Sequence, residues 1–101
     1  MSVLVLVQGN PKPEKTAVLQ QYQQAARTII GKHGGQPIAR GSGVGTLHGS
    51  RKWQVGIVIR FPDEASVKAW YNDPAYAELI DLRQSGADAE IVILTDSPPP
   101  L

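Results

Sequence analysis

Between Ser2 and Gln8 the chain is aliphatic on both parities, with Val3, Val5 and Val7 on one and Leu4 and Leu6 on the other. Successive strand residues point to opposite faces, so such a run predicts a strand that has to be covered twice. A second run, Ala89 to Leu94, sets Ile91 and Ile93 against Glu90, Val92 and Leu94. A third, Trp53 to Phe61, places Trp53, Val55, Ile57, Ile59 and Phe61 on a core face and Gln54, Gly56, Val58 and Arg60 on a mixed one. Any fold for this chain must shelter both sides of its sheet.

The segments between these strands carry a different period. After the turn Asn10-Pro11-Lys12-Pro13, where either proline suits a first helical position, Val18, Leu19, Tyr22, Ala25, Ala26, Ile29 and Ile30 recur at helical spacing. Gln20, Gln21, Gln23, Gln24 and Arg27 fill much of the remainder, so the helix is amphipathic. Gly31 offers a left-handed cap, His33 is expected as a solvated turn residue, and Gly34-Gly35 turns the chain. From Gln36 to Ser50 four glycines dilute a strand-like pattern and predict a bulge or bend. Beyond Phe61-Pro62, Asp63 caps a short helix, Asp73-Pro74 restarts it, and Gly86 ends it. Pro98, Pro99 and Pro100 predict an extended tail.

The order strand, helix, strand, strand, helix, strand predicts an α+β βαββαβ unit: a four-stranded antiparallel sheet with both helices on one face. Residues 1–96 form one expected domain and 97–101 a Pro-rich tail. No third helix is available for Leu4, Leu6, Val58, Val92 and Leu94, which take the other face. At about 25 cal/mol per Å², leaving a sheet-sized apolar patch wet forgoes several kcal/mol. A second copy related by a two-fold axis covers it most simply, so a homodimer joined through its sheet faces is expected.

Charge excludes some partners. Ten basic and nine acidic side chains leave a net +1, which gives no electrostatic ground for nucleic acid or an anionic membrane. The absence of cysteine excludes thiol catalysis and disulfides and is compatible with a reducing, cytoplasmic setting, the location expected here. Met1 to Val7 is too short, and too soon followed by Gln8-Gly9-Asn10-Pro11, for a leader or a membrane span.

Tyr76 and Arg83 are seven residues apart on one helical stripe with Leu79 or Ile80 between them. As a planar fork of donors, Arg83 suits an anion or carboxylate; the alternative is a cation at a helix C-terminus paired with Asp81 or Glu78. Trp70 and Tyr71 are adjacent and cannot both face the core, so Trp70 is expected as core or pocket wall and Tyr76 as the polar-tipped pocket residue. Arg60 falls on the outer parity, where it pairs with a carboxylate, awaits an anionic ligand or exits to solvent. His48 is a candidate general base, though no nucleophile and acid accompany it. No metal signature such as His-Glu-x-x-His occurs, and Gly41-Ser42-Gly43-Val44-Gly45 lacks the Lys-Ser/Thr of a phosphate loop, so no metal and no cofactor are expected.

Gly34-Gly35-Gln36-Pro37-Ile38-Ala39-Arg40-Gly41, then His48-Gly49, then Phe61-Pro62-Asp63 with Ala69-Trp70-Tyr71-Asn72-Asp73-Pro74-x-Tyr76 and Leu82-Arg83, resembles the bacterial family known as domain of unknown function 1330. The resemblance runs from Gly34 to Leu94 and places the chain with the dimeric α/β-barrel superfamily. It implies a ferredoxin-like subunit whose sheet faces that of a second copy. The wider superfamily includes cofactor-independent monooxygenases, dehydratases, chlorite-related haem proteins and muconolactone isomerases; this branch implies no established reaction. His48-Gly49 stands where the family usually shows Glu-Gly, and the first strand lacks an aromatic residue common in relatives.

Three functions follow as expectations. One is a cofactor-independent enzyme acting on a small organic acid or aromatic, with Arg83 or Arg60 orienting it, Trp70 and Tyr76 lining the pocket and His48 moving a proton. The second is a non-catalytic binding module using the same cleft, and the third a purely structural dimer.

Overall fold

The computed structural model describes residues 2–97. The expected tail lies, beyond Ser97, outside the described residues. Strand β1 (Val3–Pro11) leads through a 3-10 turn (Pro13–Lys15) into α1 (Thr16–Lys32), followed by β2 (Gln36–Ser42) and β3 (Val55–Phe61). Helices α2 (Glu64–Tyr71) and α3 (Pro74–Gly86) then precede β4 (Ala87–Thr95). The strands lie antiparallel in the order β2-β3-β1-β4, the ferredoxin-like topology that the element order implies.

The two parities of β1 behave as the sequence requires. Val5 pairs with Ile59 and Ile93, and Val7 with Ile57 and Ile91, on the face under the helices. Val5, Ile59 and Phe61 join Ala26, Val67, Trp70 and Tyr76 in the buried core. Leu6 pairs with Val58 and Val92, and Leu4 with Arg60 and Leu94, on the outer face. Val92 and Leu94 are 43% and 47% exposed there.

Side-chain caps and a proline divide the second helical segment. Asp63 accepts from Ser66 N–H at 2.7 Å to start α2, and Asp73 accepts from Ala75 N–H at 2.9 Å to start α3 with Pro74 in its first turn. A continuous helix through Pro74 would lose a backbone bond and clash with the preceding turn. The break also sets up a contact that the sequence does not disclose. His33, expected to be solvated, is 19% exposed and donates from Nε2 to Asp73 Oδ2 at 2.7 Å, tying the end of α1 to the start of α3.

Two further expectations shift. Helix α1 continues through Gly31 to Lys32, and Gly34, with φ +83°, takes the left-handed position. At Gly35 a Cβ would run into Ile30 and Phe61, so the turn lets the chain pass close to the core. The bulge in β2 falls at Ile38, between Pro37 and Ala39, and no strand continues past Ser42. Gly43 to Gln54 forms a loop instead.

Candidate functional site

Between α1, α3 and the sheet lies a cavity of about 540 Å³. Val7, Ile57, Ile59 and Ile91 form the apolar floor, and Leu19 and Ala26 of α1 face them. Into this apolar space project Tyr22, Tyr76, Arg27, Arg40 and Arg83, together with the wall formed by Trp70. No aspartate, glutamate or histidine belongs to the lining.

Tyr76 sits at the centre of the polar groups. Its ring is fully buried, tilted at 4.9 Å against Trp70 and 5.6 Å against Tyr71. The hydroxyl bonds Tyr22 Oη at 2.7 Å and accepts from Arg83 Nη1 at 2.9 Å. Burial, with Tyr22 beside it, pushes the Tyr76 phenol far above its ordinary value, so it keeps its proton. Arg83 Nη2 donates to Tyr71 Oη at 3.2 Å, and the guanidinium lies 5.8 Å from the Tyr71 ring centre. Burial works against the Arg83 charge; the bond to Tyr71 and the neighbouring phenol oxygens more than offset it.

Arg83 is therefore held by phenols rather than by a carboxylate. The alternative pairing with Asp81 or Glu78 does not occur, and neither Arg27 nor Arg40 is ion-paired among the described residues. A guanidinium has five N–H donors, of which Arg83 spends two on tyrosines. The Trp70 indole is 2% exposed, and its Nε1 is buried without a hydrogen-bond partner among the described residues.

The structure brings Trp70, Tyr76 and Arg83 together and sets the other two candidates apart from them. Arg60 lies across the sheet, on the outer face, where Nε donates to Asp96 Oδ2 at 2.8 Å. The Ser2 hydroxyl, 2.7 Å from the same oxygen, and Arg60 hold the Asp96 carboxyl below its usual range. His48 is exposed in the Gly43–Gln54 loop and lines a separate, open depression with Gln8, Thr46, Arg51 and Trp53. There Arg51 stacks over Trp53 at 5.1 Å and approaches Glu90 at 3.6 Å. Tyr22, Arg27 and Arg40 were not singled out by sequence reasoning. Tyr22 passes as one more apolar position of α1 and Arg27 as part of its polar face; Arg40 shares its cross-strand row with Ile57, a pairing visible only in the sheet register.

Residues 6–97 match the model of the family described as "Domain of unknown function (DUF1330)". No curated protein matches the chain in sequence. Among solved structures, a protein of unknown function from Rhodopseudomonas palustris superposes with TM-score 0.84 at 18% identity, over 97% of this chain and 84% of that one. A dimeric ferredoxin-like protein of unknown function from Jannaschia sp. CCS1 gives 0.74 at 14% identity, over 93% and 98%. SnoaB, a cofactor-independent oxygenase from Streptomyces nogalater, gives 0.61 at 7% identity, over 98% and 94%. At these identities the likeness is one of fold. Among the described residues, no group of three or more His, Cys, Asp or Glu side chains could hold a metal ion, and no helix is long and apolar enough to cross a membrane.

Proposed function

The chain belongs to the DUF1330 family, and from that footing we propose that it is a homodimer that binds a small organic anion with an apolar body in the cavity beneath α1 of each subunit. The observation that carries this reading is a 540 Å³ cavity with an apolar floor, three arginines in its lining and no acidic side chain. Ligand cavities have volumes of roughly 300–1,000 Å³ and fix their ligands with few polar groups. Here those groups are mostly donors. Arg83, positioned by Tyr71 and Tyr76, presents unspent N–H groups to a carboxylate, and Trp70 supports the apolar body beside it.

The chemistry favours binding over proton abstraction. With its phenol pushed upward, Tyr76 donates rather than acts as a base, and His48 does not line this cavity. Dimerisation rests on the outer face, where Leu4, Leu6, Val58, Val92 and Leu94 make an apolar patch without cover from the chain's own helices. Dimeric relatives of the same fold support it.

Titration calorimetry with 2-naphthoate and its neutral counterpart 2-naphthamide tests the binding. Saturable binding of the acid, weakened about tenfold by Arg83→Gln, is expected. Equal affinity for acid and amide would overturn the anion reading.

A further inference from the structure

We infer that the ligand is an elongated dianion, an acyclic or aromatic dicarboxylate that spans the sheet from Arg83 to Arg40. This rests on the anion-binding reading above and goes further by giving the ligand a second acidic end. The cross-strand register carries it. Ile91, Val7, Ile57 and Arg40 occupy one continuous row under the helices, from β4 through β1 and β3 to β2. All four line the cavity. Three interstrand steps make that row about 14 Å wide.

Two arginines from different elements line this one cavity. Arg83 sits in the last turn of α3, and its guanidinium is held by Tyr76 and Tyr71 where Tyr22 of α1 meets α3. Arg40 stands on the edge strand β2, at the end of the row farthest from β4, and Arg27 joins the lining from α1. Neither Arg40 nor Arg83 has a carboxylate partner among the described residues. The floor of the cavity, Val7, Ile57, Ile59 and Ile91, is aliphatic, and over it a charged centre would lose its hydration without compensation. Acids at the ends and carbon in the middle match this pattern. Long arginine side chains can take up part of the span, so the ligand is shorter than the row itself.

The Arg83 end is built to take an acceptor. Arg83, in the cavity wall, holds N–H groups beyond the two that the tyrosines use. A carboxylate there can accept several bonds at once, whereas a hydroxyl or amine would leave donors unanswered.

The test is calorimetry of the whole protein against succinate, adipate, suberate and sebacate, with octanoate as the monoacid matched to suberate. Expected is an affinity maximum within the diacid series and a best diacid about tenfold tighter than octanoate. Arg40→Gln should abolish that advantage, so that the best diacid and octanoate bind the variant alike, while Arg83→Gln weakens both. Thermal unfolding checks that each variant is folded. Should octanoate match every diacid, or Arg40→Gln leave the gap intact, the second acidic end is refuted and single-anion binding stands. Failure of monoacids and diacids alike, 2-naphthoate included, refutes both.

Discussion

Replacing Tyr76 with Phe removes one oxygen atom and leaves the aromatic ring that the core needs. The hydroxyl accepts from Arg83 Nη1 at 2.9 Å and bonds Tyr22 Oη at 2.7 Å. Hydrogen bonds to charged partners contribute about 1.5–3 kcal/mol and neutral ones about 0.5–1.5 kcal/mol. Neither partner is sealed off: Arg83 and Tyr22 are half-buried on the cavity wall, so water can satisfy what Tyr76 leaves behind. The expected loss therefore falls to about 1–2 kcal/mol. For a domain of this size Tm drops by about 4–8 °C for each kcal/mol. Urea unfolding at fixed protein concentration measures the change, and m should stay constant because no surface is newly exposed. Affinity for 2-naphthoate should fall in parallel, since Arg83 loses one of the two oxygens that orient its fork. In a Tyr22→Phe background the same substitution should cost less, the shared bond being already gone. Stability unchanged within about 0.3 kcal/mol, together with unchanged affinity, would refute the network. A loss beyond about 4 kcal/mol with an altered m would show that the ring, rather than the oxygen, had been disturbed.

Other perturbations address the latch, the turn and the outer face. His33, first, and then Ala75 N–H hold the Asp73 carboxyl at about 2, against 3.8 ordinarily. A lowered carboxyl stabilises the fold above its unfolded value and loses that contribution as pH falls through the folded one, so Asp73→Asn should flatten the acid limb between pH 3.8 and 2. An unchanged slope in urea titrations over that range would contradict the latch. Gly35→Ala should cost about 1–3 kcal/mol, because its Cβ meets Ile30 and Phe61. Gly41→Ala, with nothing near its Cβ, should stay within about 0.5 kcal/mol in the same denaturation assay. Val92→Lys, on the outer face, should convert the dimer to a folded monomer by sedimentation velocity while 2-naphthoate still binds; a persistent dimer would place the interface elsewhere.

What was legible in the sequence was whatever repeats locally. The double parity of Val3 to Val7, the helical spacing from Val18 to Ile30 and the Asp73-Pro74 break each state their structure within a few residues. Long-range partners were not. His33 sits beside two glycines and gives no sign of a carboxylate 40 residues away. The glycines from 41 to 49 suggested an irregular strand, yet most of them lie in the loop after β2, and the bulge comes at Ile38. Arg83 and Tyr76 share a stripe that can be counted along one helix. Tyr22, the phenolic partner of Tyr76, belongs to another helix, and Arg40 to an edge strand. The gap that these side chains surround lies between helices and sheet that are far apart in the chain, a packing outcome with no period of its own.

The most direct test of the central claim is a crystal structure of the protein grown with 2-naphthoate. The expected result is the naphthyl group over Val7 and Ile57 beneath α1, with its carboxylate in hydrogen-bond contact with Arg83. Finding the compound bound instead beside His48 or on the outer face, with the space under α1 holding only water, would contradict it.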